Sequence, residues 1–259
     1  MNIIVCVKRV PLTQEIDLQV DPQKTGIKKD MLTHSINEWD NYAVEEAILI
    51  KEKLEGTVTV ITVGFEEDEE VLRRCLAMGA DRAIRIDPGE VALDPYVVSK
   101  ILAKVIEGQE YNLVLTGVQS DDYNYGILGG LLAENLGLAH AAVVNGIDSE
   151  EEELRLNIEL EGGVEEVSRI NLPALLTIQT GINEPRYVSI MGIRKAAKKE
   201  LSVVNVNDLG LSEDDLERRT IIEEIYMPPE TEGAQIIEGD PSSVGEQIIR
   251  IIKEKGVNI

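Results

Sequence analysis

The 259-residue chain is poor in the residues that carry most side-chain chemistry, with only two cysteines and two histidines. Cys6 and Cys75 each stand in apolar surroundings with no CxxC spacing, which argues against a zinc site or a redox dithiol and assigns both to the core. Neither His34 nor His140 lies near a serine or cysteine in a nucleophile motif, so triad hydrolysis is not expected. Positive charge is scarce as well: 25 Lys and Arg stand against 48 Asp and Glu, a formal net charge of −23. Binding a phosphate backbone or an anionic lipid surface needs concentrated basic residues, so neither nucleic acid nor membrane is expected as a principal partner. No apolar run approaches the ~20 residues that span a bilayer. The chain opens directly on a short strand, residues 2–7, without signal or transit features, and the expectation is a soluble, cytoplasmic protein.

What is present is an ordinary share of hydrophobic residues, 43%, in a chain long enough to bury one substantial core. Short apolar runs (3–7, 57–63, 82–86, 113–116) alternate with amphipathic ones (42–54, 67–78, 95–107, 126–136). That rhythm specifies right-handed βαβ crossovers and a doubly wound α/β domain with a mostly parallel sheet. In the first helical run Ala43, Ala47, Ile50 and Leu54 form an apolar stripe, with Glu45, Glu46, Lys51 and Glu52 on the other side and Asp40 as the expected N-cap. From Leu154 the period changes to alternation around Glu161-Gly162-Gly163, which predicts a β-hairpin added to the sheet. Residues 172–178 read as a buried strand. Beyond about residue 206 charge rises, Pro228-Pro229 interrupts, and too few apolar residues remain for an independent core. The expected division is an α/β domain over 1–205 and an extended arm over 206–259. The arm ends in an Ile-rich helix that packs either on its own domain or on a partner.

Three places suit chemistry or recognition. The run from Gly117 to Gly130 follows a buried strand and opens a helix. Such a turn exposes backbone N–H groups at the positive end of a helix and suits a phosphate, and it equally suits close helix–strand packing. Cys6, Val7 and Lys8 close the first strand and Val63-Gly64 another, so several loops converge where an adenine would meet backbone groups. Lys8 or Arg9 suits a phosphate or, alternatively, a surface salt bridge. Second, Asn183-Glu184-Pro185-Arg186-Tyr187 reads as a presented polar loop with Arg186 held out from the body. Arg186 and Glu165 beside the hairpin turn are residue types that fix a partner's charged side chain. Third, Ile190 and Met191, flanked by polar residues, form an apolar knob suited to transient docking, unless that loop folds back onto its own core.

These motifs, together with Val5-Cys6-Val7-Lys8-Arg9-Val10-Pro11, the stretch Asn37 to Ala47 and Leu76-Ala77-Met78-Gly79-Ala80-Asp81, carry a resemblance. Over residues 1 to about 205 the chain resembles the small (β) subunit of electron-transfer flavoproteins. The resemblance implies a doubly wound fold of the adenine nucleotide alpha hydrolase type, a large (alpha) subunit as partner, and an FAD shared with that subunit. It implies electron transfer from acyl-CoA dehydrogenases or similar flavoenzymes. The implied cofactor-binding positions are Cys6, Val7, Lys8, Asn37, Val63, Gly64, Gly117, Gln119, Asp122, Tyr123, Asn124, Tyr125, Gly126, Ile127, Leu128 and Gly129. In the family these hold an AMP with a structural role, or, in the electron-bifurcating branch, a second FAD that reacts with a nicotinamide nucleotide. Here Asp122-Tyr123-Asn124-Tyr125-Gly126-Ile127-Leu128-Gly129 departs from both typical loops, and Tyr123 and Tyr125 suit stacking on a base or flavin. The implied partner-binding positions are Glu165, which matches one that steers an interdomain Arg of the large subunit, Arg186, and Ile190, Met191 and Lys195 in a dehydrogenase-recognition loop. Met191 stands where that loop usually has Pro. A nucleotide-binding stress or signalling module of similar fold would explain the N-terminal half but not the hairpin, the 183–187 loop or the arm.

Overall fold

A computed structural model describes all residues except 14–15, 29–31, 150–152, 230–232, 235 and 258–259. Its first strand, β1 (Asn2–Cys6), is buried on both faces: Ile3 and Val5 point into one hydrophobic cluster, Ile4 and Cys6 into another. Burial on both faces requires a central strand with helices on each side. The ribbon β2 (Arg9–Pro11) and β3 (His34–Ile36) follows, then α1 (Glu38–Leu54), β4 (Thr57–Val63), α2 (Glu69–Met78) and β5 (Arg82–Asp87). Next come α3 (Pro95–Ile106), β6 (Leu113–Gly117), α4 (Leu128–Leu136) and β7 (Ala139–Ser149). The hairpin β8 (Glu153–Leu160) and β9 (Val164–Asn171) leads to β10 (Ala174–Ile178), α5 (Ile190–Ala196), β11 (Leu201–Asn205) and α6 (Pro241–Glu254).

Nine of these strands form one sheet in the order β11-β5-β4-β1-β6-β10-β7-β8-β9. From β11 to β7 every pairing is parallel, and β8 and β9 add antiparallel strands at one edge. Helices α1 and α2 cover one face, α3 and α4 the other. The fold is therefore the doubly wound, mostly parallel α/β architecture with an added hairpin that the alternating pattern predicts. Cys6 and Cys75 are both buried, and burial pushes both thiols far above the usual range.

The first helix departs from its expected reading in two ways. Asn37, not Asp40, stands at the N-cap position. Asp40 lies inside the first turn, buried, where its carboxylate accepts N–H bonds from Lys8 (2.8 Å) and Gly117 (3.0 Å). Glu45 and Glu46 do not face water; they are 3% and 7% exposed. The 183–187 loop covers them, and this overturns the reading of Arg186 as held out from the body. Its guanidinium grips Glu45 with bonds of 2.9–3.0 Å and reaches Glu52 at 2.9 Å. Asn183 donates to Glu46 at 2.9 Å. A carboxylate under a loop draws the cation inward, and turn chemistry alone carries no sign of that carboxylate.

Past β11 the chain turns at buried Val206, and Leu209, Leu211 and Leu216 settle against the α3–α4 side of the core. The start of the arm thus lies on its own domain. Helix α6 is capped by Asp240 with Pro241 at its first position and buries none of its residues.

Candidate functional site

Strand order reverses direction at β1: the chain passes from β1 to β4 and β5 on one side, then crosses to β6 on the other. Loops leaving the carboxyl ends of β1 and β6 therefore diverge, and this is where open α/β sheets hold ligands. A cavity of about 650 Å³ opens there, within the ~300–1,000 Å³ usual for small-molecule sites.

Its floor comes from the ends of β1, β4 and β6: Cys6, Val7 and Lys8, then Ile61, Thr62 and Val63, then Thr116 and Gly117. Gly117 is required, since a Cβ there would lie 2.5 Å from both Asp40 Oδ1 and Trp39 Cβ. The β2–β3 ribbon brings Asn37 beside Lys8, whose carbonyl accepts the Asn37 N–H at 2.9 Å. The buried Asn37 amide is committed to the next loop: Nδ2 donates to the Gln119 carbonyl (2.8 Å) and Oδ1 accepts from the Asp121 N–H (3.0 Å). It lines the cavity and holds residues 119–121 in place.

Gln119, Tyr123, Tyr125, Gly126, Ile127 and Leu128 form the wall. Gly126 adopts φ 62, a left-handed backbone open to glycine at no steric cost. Gly129 serves the other reading of this turn: a Cβ there would fall 2.2 Å from Thr177 Cγ2, so its absence lets α4 close on β10. Gly64, Asp122, Asn124 and Gly129 do not line the cavity. Asp122 instead pairs with Lys8 Nζ at 2.6 Å, and that ammonium sits 4.7 Å from the Tyr123 ring centre. Tyr123 and Tyr125 stack on each other at 5.6 Å with planes 4° apart. Arg9 turns away toward Asp68 and Glu70. The salt-bridge alternative for both cations is the arrangement found.

Residues beyond the expected set complete the site. Leu93, Asp94, Pro95, Val98 and Leu102 supply an apolar side at the start of α3, and Arg218, Thr220, Ile221 and Ile222 approach from the arm. Asp94-Pro95 carries a legible signal, an N-cap followed by Pro at the first helical position, which marks a helix start at a sheet end. The arm residues carry none.

The partner positions lie elsewhere. Glu165 is exposed beside the hairpin turn, 3.2 Å from Asn145 Nδ2. Ile190 and Met191 are 72% and 68% exposed at the start of α5, a short helix where a loop is expected, capped by Ser189. The helix is anchored by buried Ala196, which leaves Lys195 exposed.

The cavity suits an adenine nucleotide on two observations. Ile127 and Leu128 bring the start of α4 to its edge, and no side chain caps that helix, which leaves its positive end open toward the cavity, an arrangement that suits an anion. The apolar side from α3 and the arm suits a flat base. Among the described residues no group of three or more His, Cys, Asp or Glu is placed to hold a metal ion, and no helix is long and apolar enough to cross a membrane.

Fold and cavity together describe a doubly wound α/β protein with a ligand crevice at its switch point. Residues 27–209 match the electron transfer flavoprotein domain. The chain is 39% identical over 262 residues to an electron transfer flavoprotein subunit beta of Methylophilus methylotrophus, covering 98% of each chain. It is 36% identical to the Bacillus subtilis subunit beta, again over 98% of each. Identity to the human subunit beta is 33%, over 99% of this chain and 98% of that one. The chain belongs to the electron transfer flavoprotein beta-subunit family, and its function is that of an electron-transferring flavoprotein.

Proposed function

We propose that this chain is the small subunit of a heterodimeric electron-transfer flavoprotein, pairing with a large (alpha) subunit and sharing an FAD with it. The heterodimer passes electrons from acyl-CoA dehydrogenases or related donors to downstream acceptors, as a cytoplasmic carrier. The observation that carries this reading is the end-to-end similarity to beta subunits, which includes the hairpin and the arm as well as the nucleotide-type half. FAD, when bound, supplies the redox centre. This chain's residues orient and dock. Glu165 offers an exposed carboxylate to a cation of the large subunit, Ile190 and Met191 offer an apolar knob to a dehydrogenase, and residues 206–259 form the arm toward the large subunit. Arg186 serves by holding the 183–187 loop, and with it the approach to α5, on α1.

The cavity at the β1–β6 divergence takes AMP in this reading, its phosphate at the start of α4 and its base against the apolar side. A second reading, a second FAD in a bifurcating flavoprotein that oxidises NADH, is favoured by Tyr123 and Tyr125, which present parallel, half-exposed rings at the wall. Nucleotide stoichiometry of the complex co-produced with its large subunit separates them. One FAD and one AMP per heterodimer supports the carrier. Two FAD and no AMP supports the bifurcating form, and a stable colourless homodimer overturns both.

A further inference from the structure

We propose that Arg218–Ile222 is a strap that completes the nucleotide site, in which Arg218 contacts the ligand's phosphate and Asp94 is the positioning residue that holds the strap. This rests on the reading of the cavity as a nucleotide site and goes beyond it by assigning residues of the arm to the ligand.

The chain is tied on either side of Ile221 and Ile222, at Arg219–Thr220 and again at Ile225. Asp94 Oδ2 accepts the backbone N–H of Arg219 at 2.6 Å and of Thr220 at 2.8 Å. The other oxygen of the same carboxylate caps α3 through the Val97 N–H at 2.8 Å. One carboxylate, 9% exposed, therefore both starts the helix that walls the cavity and fixes the strap that crosses it. Arg219 reinforces this tie by lying 5.1 Å from the Tyr96 ring centre. Five residues beyond Thr220, the Ile225 N–H donates to the Lys24 carbonyl at 2.7 Å, and Lys24 Nζ pairs with Glu224 at 2.8 Å. Thr25, next to Lys24, also lines the cavity. Between the ties Ile221 and Ile222 line the space, and Thr220 at the first tie and Arg218 just before it line it as well.

Charge selects Arg218 as the contact. Two cations line the cavity, Lys8 and Arg218. Lys8 is already neutralised by Asp122, whereas no carboxylate among the described residues pairs with Arg218. In a chain of net charge −23, an anionic ligand meets repulsion from most directions, and a cation without a partner at the cavity is where a phosphate gains most.

The test uses the full chain in complex with its large subunit, stripped of small nucleotide, and compares affinity for AMP with affinity for adenosine. Arg218→Gln is expected to weaken AMP about tenfold, the range of one charge-assisted contact, and to leave adenosine unchanged. Asp94→Asn keeps one acceptor oxygen for the α3 cap and loses the second, so it is expected to speed exchange of labelled AMP and to narrow the AMP-to-adenosine ratio. The double variant is expected to narrow that ratio no further than Arg218→Gln does. An unchanged ratio in Arg218→Gln, or a loss of AMP and adenosine in equal measure, overturns the strap while the nucleotide site stands. A wild-type complex that binds no AMP, and no FAD beyond the one shared with the large subunit, overturns the nucleotide site and the strap together.

Discussion

Replacing Arg186 by Met tests the architecture that places the docking segment. Glu45 has a side chain only 4% exposed, and three of its hydrogen bonds come from the Arg186 guanidinium at 2.9–3.0 Å. In Arg186→Met the carboxylate keeps the backbone N–H of residue 186 (3.0 Å in the native chain) and loses its counter-ion. Breaking a buried pair costs about 3–5 kcal/mol, and the low end applies because Arg186 itself is a third exposed. A loss of about 3 kcal/mol lowers Tm by about 6–12 °C in a chain of this size. Urea unfolding at neutral pH measures the free energy directly. Glu45→Gln in the same background removes the stranded charge and is expected to restore about half the loss, giving a coupling energy of about 2 kcal/mol in the double-mutant cycle. A single-variant loss under about 0.5 kcal/mol, or strict additivity of the two changes, would refute the view that this pair fastens the loop.

Further outcomes follow from other parts of the structure. Gly117→Ala places a Cβ 2.5 Å from Asp40 Oδ1 and Trp39 Cβ; overpacking of that kind costs about 2 kcal/mol, read by thermal unfolding, and should reduce nucleotide retention. Burial pushes the Asp40 carboxyl up to about 7, against the opposing bonds from Asn37, Lys8 and Gly117. The folded chain thus holds a proton that the unfolded chain releases near pH 4, so the Asp40 contribution to stability falls as pH rises from about 4 to about 7 and levels off above. Stability of wild type relative to Asp40→Asn across pH 5–8 checks this, and a difference that grows with pH would contradict it. Ile190→Ser with Met191→Ser removes exposed apolar surface only, so stability should change by less than about 0.5 kcal/mol while electron transfer from a dehydrogenase slows in stopped-flow assays.

Much of the fold was legible because burial has a period. The runs at 3–7, 57–63 and 113–116 carry only apolar residues and threonine, as strands covered on both faces do, the run at 82–86 nearer the sheet edge admits Arg82 and Arg85, and the intervening stretches carry helical stripes. Strand ends follow once that order is known, which is why Lys8, Val63, Gly117 and the 119–128 loop meet at one cavity. Arg186 and Glu45 were misread for a single reason. A carboxylate on the outer face of a helix looks solvated until another segment, 141 residues away in sequence, closes over it.

By itself the sequence determined the doubly wound class, the added hairpin, the acidic surface and the family. The first three depend on local pattern and composition and the family on motifs that resemble its members', all of which are legible without knowledge of any distant contact. Tertiary structure decided which residues of those patterns are spent on the protein itself. Asn37 is consumed by the Gln119–Asp121 backbone and Lys8 by Asp122, Gly129 is given to packing, and the arm returns across the cavity on Asp94. A side chain's role depends on which partner reaches it first, and partners far apart along the chain are brought together only by the fold.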